Sequence, residues 1–194
     1  MRISCAILAG GPSTRMGTDK AIVQKDEKPL IQSVVEVARR VFDDVIIISS
    51  RHGSGQWMGL PVLPDIIEVR SPLVGIASAL LYSENPFVFV LACDMPFVTE
   101  KGLRYVMAHA GTEDVVVPRT ASGYEPLHAL YGRSCLAPAL GLIDKKRLKI
   151  SDLYPYVKVK PLSGHPVFQN GARSVFLNIN TMNDLLCAGV ASNE

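Results

Sequence analysis

Residues 87–94 read FVFVLACD, an uninterrupted run of apolar residues that leads into Cys93 and Asp94. A run without polar alternation is typical of a strand covered on both faces, as in a parallel sheet. Asp94 then stands at the carboxyl end of that strand, where an unpaired carboxylate is costly to bury. Two interpretations fit: a magnesium ligand that works together with substrate phosphates, or an aspartate that caps a turn or pairs with a lysine.

Apolar strands and amphipathic helices alternate along the rest of the chain. Strands are predicted at residues 4–9, 45–48, 61–64, 115–117, 127–131, 157–159 and 174–177. Helices are predicted at 30–42, after the Ser71-Pro72 start, from Thr99 to about 110, at 135–143 and from Thr181. This order predicts an α/β fold of three layers, with a mostly parallel central sheet between helices. We expect residues 1–194 to form a single domain.

Sheets of this kind bind ligands at the carboxyl ends of their strands. The rule directs attention to the loop after Ala9, the loop after Ile48, and Asp94. His128, in an apolar segment, is interpreted as a packed or hydrogen-bonded histidine rather than a catalytic base.

Residues 8–20, LAGGPSTRMGTDK, follow the first predicted strand. Gly10 and Gly11 let backbone N–H groups turn toward an anion, and Arg15 and Lys20 add positive charge beside them. A nucleoside triphosphate is an anion of this kind. The spacing matches neither the P-loop nor the dinucleotide-binding fingerprint. The alternative is a surface turn in which the glycines only permit positive φ.

Residues 178–181, NINT, precede the last predicted helix. Asn178 and Asn180 would face the same way on an extended segment, and each can donate and accept hydrogen bonds. They suit a polar ligand or a contact near the metal. Turn formation and helix capping, which asparagine favours, are the alternative.

Composition excludes several other classes of protein. Apolar residues make up 48% and charged residues 20% of the 194 residues, which is typical of a folded domain and not of a disordered chain. The net charge of +2 and the short basic run at 145–149 argue against a nucleic-acid partner. The four cysteines lie far apart, which favours free thiols and a cytoplasmic location, and no apolar stretch is long enough to span a membrane.

Three segments together resemble one family. They are L-A-G-G-x-S-x-R-M-G-x-D-K at 8–20, C-D-M-P-F at 93–97 and N-I-N-T at 178–181, and they are similar to segments of the MobA-type molybdenum cofactor guanylyltransferases. Residues 72–76 and 126–131 fit the family's intermediate segments. Ser71 departs from the pattern, because a glycine often precedes the Pro-Leu pair.

The resemblance implies a Rossmann-like nucleotidyltransferase fold and transfer of GMP from GTP to the terminal phosphate of molybdopterin or its molybdenum form. Pyrophosphate is released. Residues 1–100 would form the nucleotide-binding half and residues 101–194 the acceptor-binding half. The expected partners are GTP, molybdopterin, and molybdoenzymes or cofactor-biosynthesis proteins, with neither nucleic acid nor a membrane among them.

The resemblance also implies roles for single residues. Asp94 would bind Mg²⁺, and Arg15, Lys20 and Asp94 would form the catalytic set. Asn178 and Asn180 would contact the acceptor. The nucleotide would be bound by Leu8, Ala9, Gly10, Gly11, Lys20, Asp65 and Asp94.

Two alternatives to this function stay open from the sequence. One is a cytidylyl- or guanylyltransferase that acts on a different phosphorylated acceptor. The other is a protein that carries the nucleotide or the pterin without catalysis.

Overall fold

The strand predicted at residues 87–92 lies near the centre of a sheet that organises the protein. The structure is a computed structural model, and it describes residues 1–9, 24–25, 28–49, 55–179 and 184, with only the backbone described at 24–25 and 28–29. The strands are β1 (Ile3–Leu8), β2 (Gln24–Lys25), β3 (Lys28–Pro29), β4 (Asp44–Ser49), β5 (Gly55–Trp57), β6 (Leu60–Pro64), β7 (Phe87–Ala92), β8 (Val115–Thr120), β9 (Gly123–Tyr124), β10 (His128–Gly132), β11 (Val159–Ser163), β12 (Gln169–Asn170) and β13 (Arg173–Ser174).

Among the described residues, nine of these strands form one sheet in the order β11-β8-β10-β7-β1-β4-β6-β5, with β9 paired to β8. Strands β7, β1, β4 and β6 run parallel, as predicted. Strand β10 is antiparallel to both β7 and β8, so the sheet as a whole is mixed. The reason is loop length: residues 121–127 are too few for the crossover that a parallel return requires.

Helices cover both faces of the sheet, which confirms the three-layer α/β prediction. One buried cluster joins residues of α1 and α3 to one face, and a second joins residues of α2 and α4 to the other. The helices are α1 (Leu30–Arg39), α2 (Pro72–Tyr82), α3 (Glu100–Ala108) and α4 (Leu136–Asp144). No helix within residues 1–9, 28–49 and 55–179 is long and apolar enough to cross a bilayer.

Both predicted helix starts are confirmed by their caps. Ser71 Oγ accepts a hydrogen bond from the Leu73 N–H at 3.1 Å, and Thr99 Oγ1 accepts one from the Gly102 N–H at 3.1 Å. Ser71 Oγ also donates to the Leu148 carbonyl at 2.8 Å. The serine thus joins the start of α2 to the segment after α4.

The sequence predictions are less accurate after β10. The strand predicted at 174–177 is only the short β13, which pairs with β12 outside the main sheet. Val175 and Phe176 are instead buried against the α1–α3 face of the sheet. A short apolar run predicts burial, but it does not determine whether the backbone joins a sheet. The helix predicted from Thr181 lies outside the described residues except for Asp184, which is helical.

His128 is packed in the core, as interpreted from the sequence. It is fully buried, and its ring makes edge contacts with Phe89 at 5.4 Å and Phe176 at 5.2 Å between ring centroids. Neither ring nitrogen hydrogen-bonds to another described residue. Burial lowers the pKa of His128 to about 3, so the imidazole is neutral in the folded protein at neutral pH.

This histidine should make stability depend on pH. Below its ordinary pKa of 6.5, the unfolded chain takes up a proton that the folded protein excludes until about pH 3. The free energy of unfolding should therefore fall by about 2 kcal/mol between pH 7 and pH 5 on account of this group. We expect His128→Leu to remove that part of the decrease, measured by urea unfolding at both pH values. An equal decrease in the variant and the wild type would contradict the prediction.

Candidate active site

The parallel strands end side by side at one edge of the sheet, and backbone hydrogen bonds join their ends. The Ala9 N–H donates to the Ile48 carbonyl at 2.8 Å, and the Cys93 N–H donates to the Leu8 carbonyl at 3.2 Å. The chain therefore leaves β1 between the ends of β4 and β7. Residues 8–20 begin at this point, with polar strand ends on both sides.

Asp94 lies two residues beyond the last residue of β7 and is half-buried at this edge. Its carbonyl accepts a hydrogen bond from the Ile179 N–H at 2.9 Å, which fixes the segment after β13 against the end of β7. Asn178, next to Ile179 in the chain, is exposed. The segment that carries Asn178 and the strand end that carries Asp94 are thus adjacent in the structure.

Asp65 lies at the same edge, directly after β6, and is also half-buried. Burial raises the pKa of its carboxyl group, while the Ser78 hydroxyl, 3.4 Å from Asp65 Oδ1, lowers it to a smaller extent. Strands β7 and β6 are three interstrand spacings apart, roughly 14 Å. Asp65 and Asp94 therefore flank the end of β1 from two sides, too far apart to share one ion.

Gly75 was given no role from the sequence, yet it sets how closely α2 approaches β1. A Cβ atom at this position would lie 3.0 Å from Leu8 Cδ1 and 3.2 Å from Leu8 Cδ2. At these distances a side chain at position 75 would require the end of the Leu8 side chain to shift by a few tenths of an ångström. A glycine inside an otherwise apolar helix was the only sequence signal for this close approach. The signal cannot be interpreted from the sequence, because it depends on a contact between α2 and the distant strand β1.

Several predicted site residues lie outside the described part of the chain. These are Gly10, Gly11, Arg15, Lys20 and Asn180. Their roles stay predictions, since the structure describes only the points from which their segments depart.

The donor set suits a magnesium ion bound together with substrate. No group of three or more His, Cys, Asp or Glu side chains in the described ranges could hold a metal on its own. Mg²⁺ in phosphate-transfer sites typically takes one or two carboxylates and completes its shell with phosphate oxygens and water. The position of Asp94, at the strand end and beside the start of residues 8–20, fits that pattern.

A separate cavity of about 700 Å³ opens at the opposite edge, where its lining includes Asp44 and Asn85. Ser4 Oγ lies 2.5 Å from Asp44 Oδ2 and 2.6 Å from Ser83 Oγ, and Asn85 Nδ2 donates to Ser4 Oγ at 2.9 Å. These polar groups satisfy one another and join the starts of β1, β4 and β7. The network is structural and is remote from Asp94.

A mixed sheet between helices, with Asp65 and Asp94 at the carboxyl ends of its strands, matches the fold of nucleotidyltransferase structures, and the comparisons identify the chain as a nucleotidyltransferase. Residues 5–154 match the family described as MobA-like NTP transferase domain. The chain belongs to this family, whose nucleotidyltransferases typically use a divalent metal.

Individual relatives agree with this assignment. A probable molybdenum cofactor guanylyltransferase of Pelotomaculum thermopropionicum is 37% identical over 189 residues, which cover 97% of this chain and 92% of that protein. Among solved structures, molybdopterin-guanine dinucleotide biosynthesis protein A of Archaeoglobus fulgidus superposes with a TM-score of 0.79 at 23% identity, covering 97% of this chain and 96% of that one. The 2-C-methyl-D-erythritol 4-phosphate cytidylyltransferase of Thermus thermophilus gives a TM-score of 0.68 at 19% identity, covering 97% of each.

The contact between Gly75 and Leu8 leads to a stability prediction. Gly75→Val forces side-chain atoms into the buried end of β1, and we expect the free energy of unfolding to fall by about 2 kcal/mol. Gly141, in α4, is the matched control, because a Cβ there meets no atom within 4 Å. Urea unfolding should show Gly141→Val within a few tenths of a kcal/mol of the wild type or slightly more stable. Equal stability of the two variants would show that α2 can move away from β1 at little cost.

Proposed function

We propose that the protein transfers GMP from GTP to the terminal phosphate of molybdopterin or its molybdenum form. An acceptor phosphate oxygen forms a bond to the α-phosphorus of GTP, the bond from that phosphorus to the bridging oxygen breaks, and pyrophosphate leaves. The observation that carries the proposal is the meeting of the β1 end, Asp94 and the Ile179 segment at one edge, in a chain of this family. The name of the Pelotomaculum relative supports GTP and the molybdenum cofactor as substrates.

The proposed reaction does not depend on a basic side chain of the protein. The attacking group is a phosphate oxygen that is already anionic near neutral pH, so no strong general base is required. The buried, neutral His128 plays no part in this scheme. The reaction does require that two anions be brought together and aligned, which is a matter of positioning and charge neutralisation.

Different residues would supply the charge neutralisation and the positioning of the two substrates. Asp94 would hold Mg²⁺, which when bound supplies positive charge to the transferred and leaving phosphates, an effect worth several kcal/mol. Lys20 and Arg15 would add charge from the glycine-rich segment. Asn178 and Asn180 would contact the acceptor from the side of Asp94 to which the Ile179 segment is bound.

The nucleotide would lie on the other side, over the ends of β1, β4 and β6. Leu8, Ala9, Gly10 and Gly11 would line its phosphate and guanine site, with Asp65 near the nucleotide. Asp65 is followed by the segment that ends at the Ser71 cap, so the hydrogen bond from Ser71 to Leu148 restrains one end of this loop. This contact supplies an anchor at the position where the family often has glycine.

Residues 1–100 would thus serve the nucleotide and residues 101–194 the acceptor, within one domain. We place the reaction in the cytoplasm, because Cys5 and Cys135 are buried free thiols, which favours a reducing compartment.

The choice of nucleotide needs a direct measurement, because the same fold occurs in the Thermus cytidylyltransferase. We expect pyrophosphate release from purified protein, Mg²⁺ and molybdopterin with GTP, and at least about tenfold less with ATP, CTP or UTP. Turnover with CTP alone would move the assignment to cytidylyl transfer. No turnover with any nucleotide would indicate a carrier.

Asp94 can be tested against a matched aspartate. Asp94→Asn should lower kcat about a thousandfold, because losing the metal-bound charge removes about 4 kcal/mol of transition-state stabilisation. Asp43→Asn, an exposed position just before β4 at the opposite edge, should leave kcat unchanged. Pyrophosphate release and the thermal midpoint would be measured for both. Near-normal turnover in a folded Asp94→Asn protein would remove Asp94 from the mechanism.

A further inference from the structure

The space beside Gly102 is lined by polar atoms from three different segments of the chain. A Cβ atom at this position would lie 3.2 Å from Thr99 Oγ1, 3.8 Å from His128 Nε2 and 3.8 Å from the Val167 carbonyl oxygen. Thr99 precedes α3, His128 begins β10, and Val167 lies in the short turn after β11. Gly102 is itself buried and has no side chain with which to fill the volume between these atoms.

His128 brings an unmet need for a hydrogen bond to this space. Its side chain is fully buried, and neither ring nitrogen is bonded to another described residue. A neutral imidazole carries one N–H donor and one acceptor nitrogen, and each is costly to leave unpaired away from water. The rings of Phe89, Phe168 and Phe176 pack edge-on against the imidazole, so it cannot turn to solvent for a partner. Its Nε2 atom is the nitrogen that lies near Gly102.

Thr99 and Val167 supply complementary groups. The Thr99 hydroxyl accepts a hydrogen bond from the Gly102 N–H at 3.1 Å, and this bond leaves the proton of the hydroxyl available. The Val167 carbonyl oxygen has two lone pairs with which to accept. A small molecule that both donates and accepts hydrogen bonds therefore suits all three atoms. It accepts from the threonine hydroxyl and donates to the carbonyl oxygen and the imidazole nitrogen.

We propose that this space binds one water molecule, held by Thr99 Oγ1, His128 Nε2 and the Val167 carbonyl oxygen. Buried waters in proteins typically make about three hydrogen bonds to polar groups that would otherwise be unsatisfied. A water lies farther from the Gly102 Cα than a bonded Cβ does. It would therefore be displaced from the Cβ position toward the three polar atoms, to roughly 3 Å from each. No carboxylate is among these atoms, so an uncharged ligand is favoured over a cation.

The water would join the starts of α3 and β10 to the turn after β11 by hydrogen bonds beneath the carboxyl edge of the sheet. It would also account for a glycine in the first turn of α3. Glycine is less favourable than alanine in a helix, but an alanine at position 102 would exclude the water. The site is independent of the proposed function, because its atoms belong to residues with no assigned contact to either substrate.

A high-resolution crystal structure tests the site directly. We expect a density peak at about 2.6–3.2 Å from Thr99 Oγ1, His128 Nε2 and the Val167 oxygen, and no peak there in Gly102→Ala. An empty space in the wild type would overturn the proposal. So would a peak at about 2.0–2.2 Å from the nitrogen, because that distance indicates a metal ion.

Two helix glycines provide a matched comparison of stability. A Cβ at Gly141, in α4, meets no atom within 4 Å. Because alanine is favoured over glycine in a helix, Gly141→Ala should raise the thermal midpoint by roughly 2–4 °C. Gly102→Ala should lower the midpoint by a similar amount, because loss of the water leaves His128 Nε2 and the Val167 oxygen without a partner. An increase in the midpoint for both variants would count against the site.

A double-mutant cycle separates loss of the water from steric contact, since a Cβ at position 102 also lies close to Thr99 Oγ1. In a His128→Leu background there is no imidazole nitrogen to lose its partner. Gly102→Ala should therefore lower the urea midpoint by about half as much there as in the wild type. A steric effect alone is the same in both backgrounds, and that result would contradict the proposal.

Should the double variant fail to fold, ¹⁵N NMR of the His128 imidazole carries the test. The shift of Nε2 should differ between the wild type and Gly102→Ala, because only the wild type gives this nitrogen a hydrogen-bond partner. Gly141→Ala is again the control and should leave the shift unchanged. The same Nε2 shift in all three proteins would show that no water is bound to His128.

Discussion

Strand β1 is hydrogen-bonded along both of its sides, to β4 and to β7, and this double pairing fixes the active site. The strand is apolar and buried on both faces from Cys5 to Leu8, so its backbone groups have no access to water and must all be paired within the sheet. Polar side chains can then be placed only beyond the strand ends. The carboxyl edge collects Asp65, Asp94 and the start of the glycine-rich segment for this reason.

The sequence was sufficient to predict the central strands that pair in this way and the starts of two helices that cover them. Uninterrupted apolar runs predicted the central strands, and Ser71 and Thr99 predicted the starts of α2 and α3. The reversed direction of β10 was not predicted, because its apolar pattern is the same in either direction. The short connection at 121–127 determines the direction, and it could be recognised only once β8 and β10 were known to be neighbours.

Only some residues of the candidate site could be predicted from the sequence, as was the case for the fold. The rule about strand ends placed Ala9 and Asp94 at one edge, and the structure adds that the Ile179 N–H binds the Asp94 carbonyl. Gly75 could not be selected from the sequence, since its role depends on Leu8, a neighbour distant in the chain. Contacts of this kind are set by tertiary packing, while strand and helix patterns are local.

The change of strand direction at β10 also separates the two halves of the sheet that we propose for the nucleotide and for the acceptor. On the side that we propose for the nucleotide, parallel strands supply their carboxyl ends, and α2 packs closely on Leu8 at Gly75. On the side that we propose for the acceptor, the same edge is formed by the β8–β9 hairpin and the residues that lead into β10. A hairpin can change its side chains without moving β7 or Asp94. Under the proposed function, the acceptor-binding side chains could therefore change while the residues proposed for phosphate transfer keep their positions, as expected where function depends on the groups that a shared fold carries.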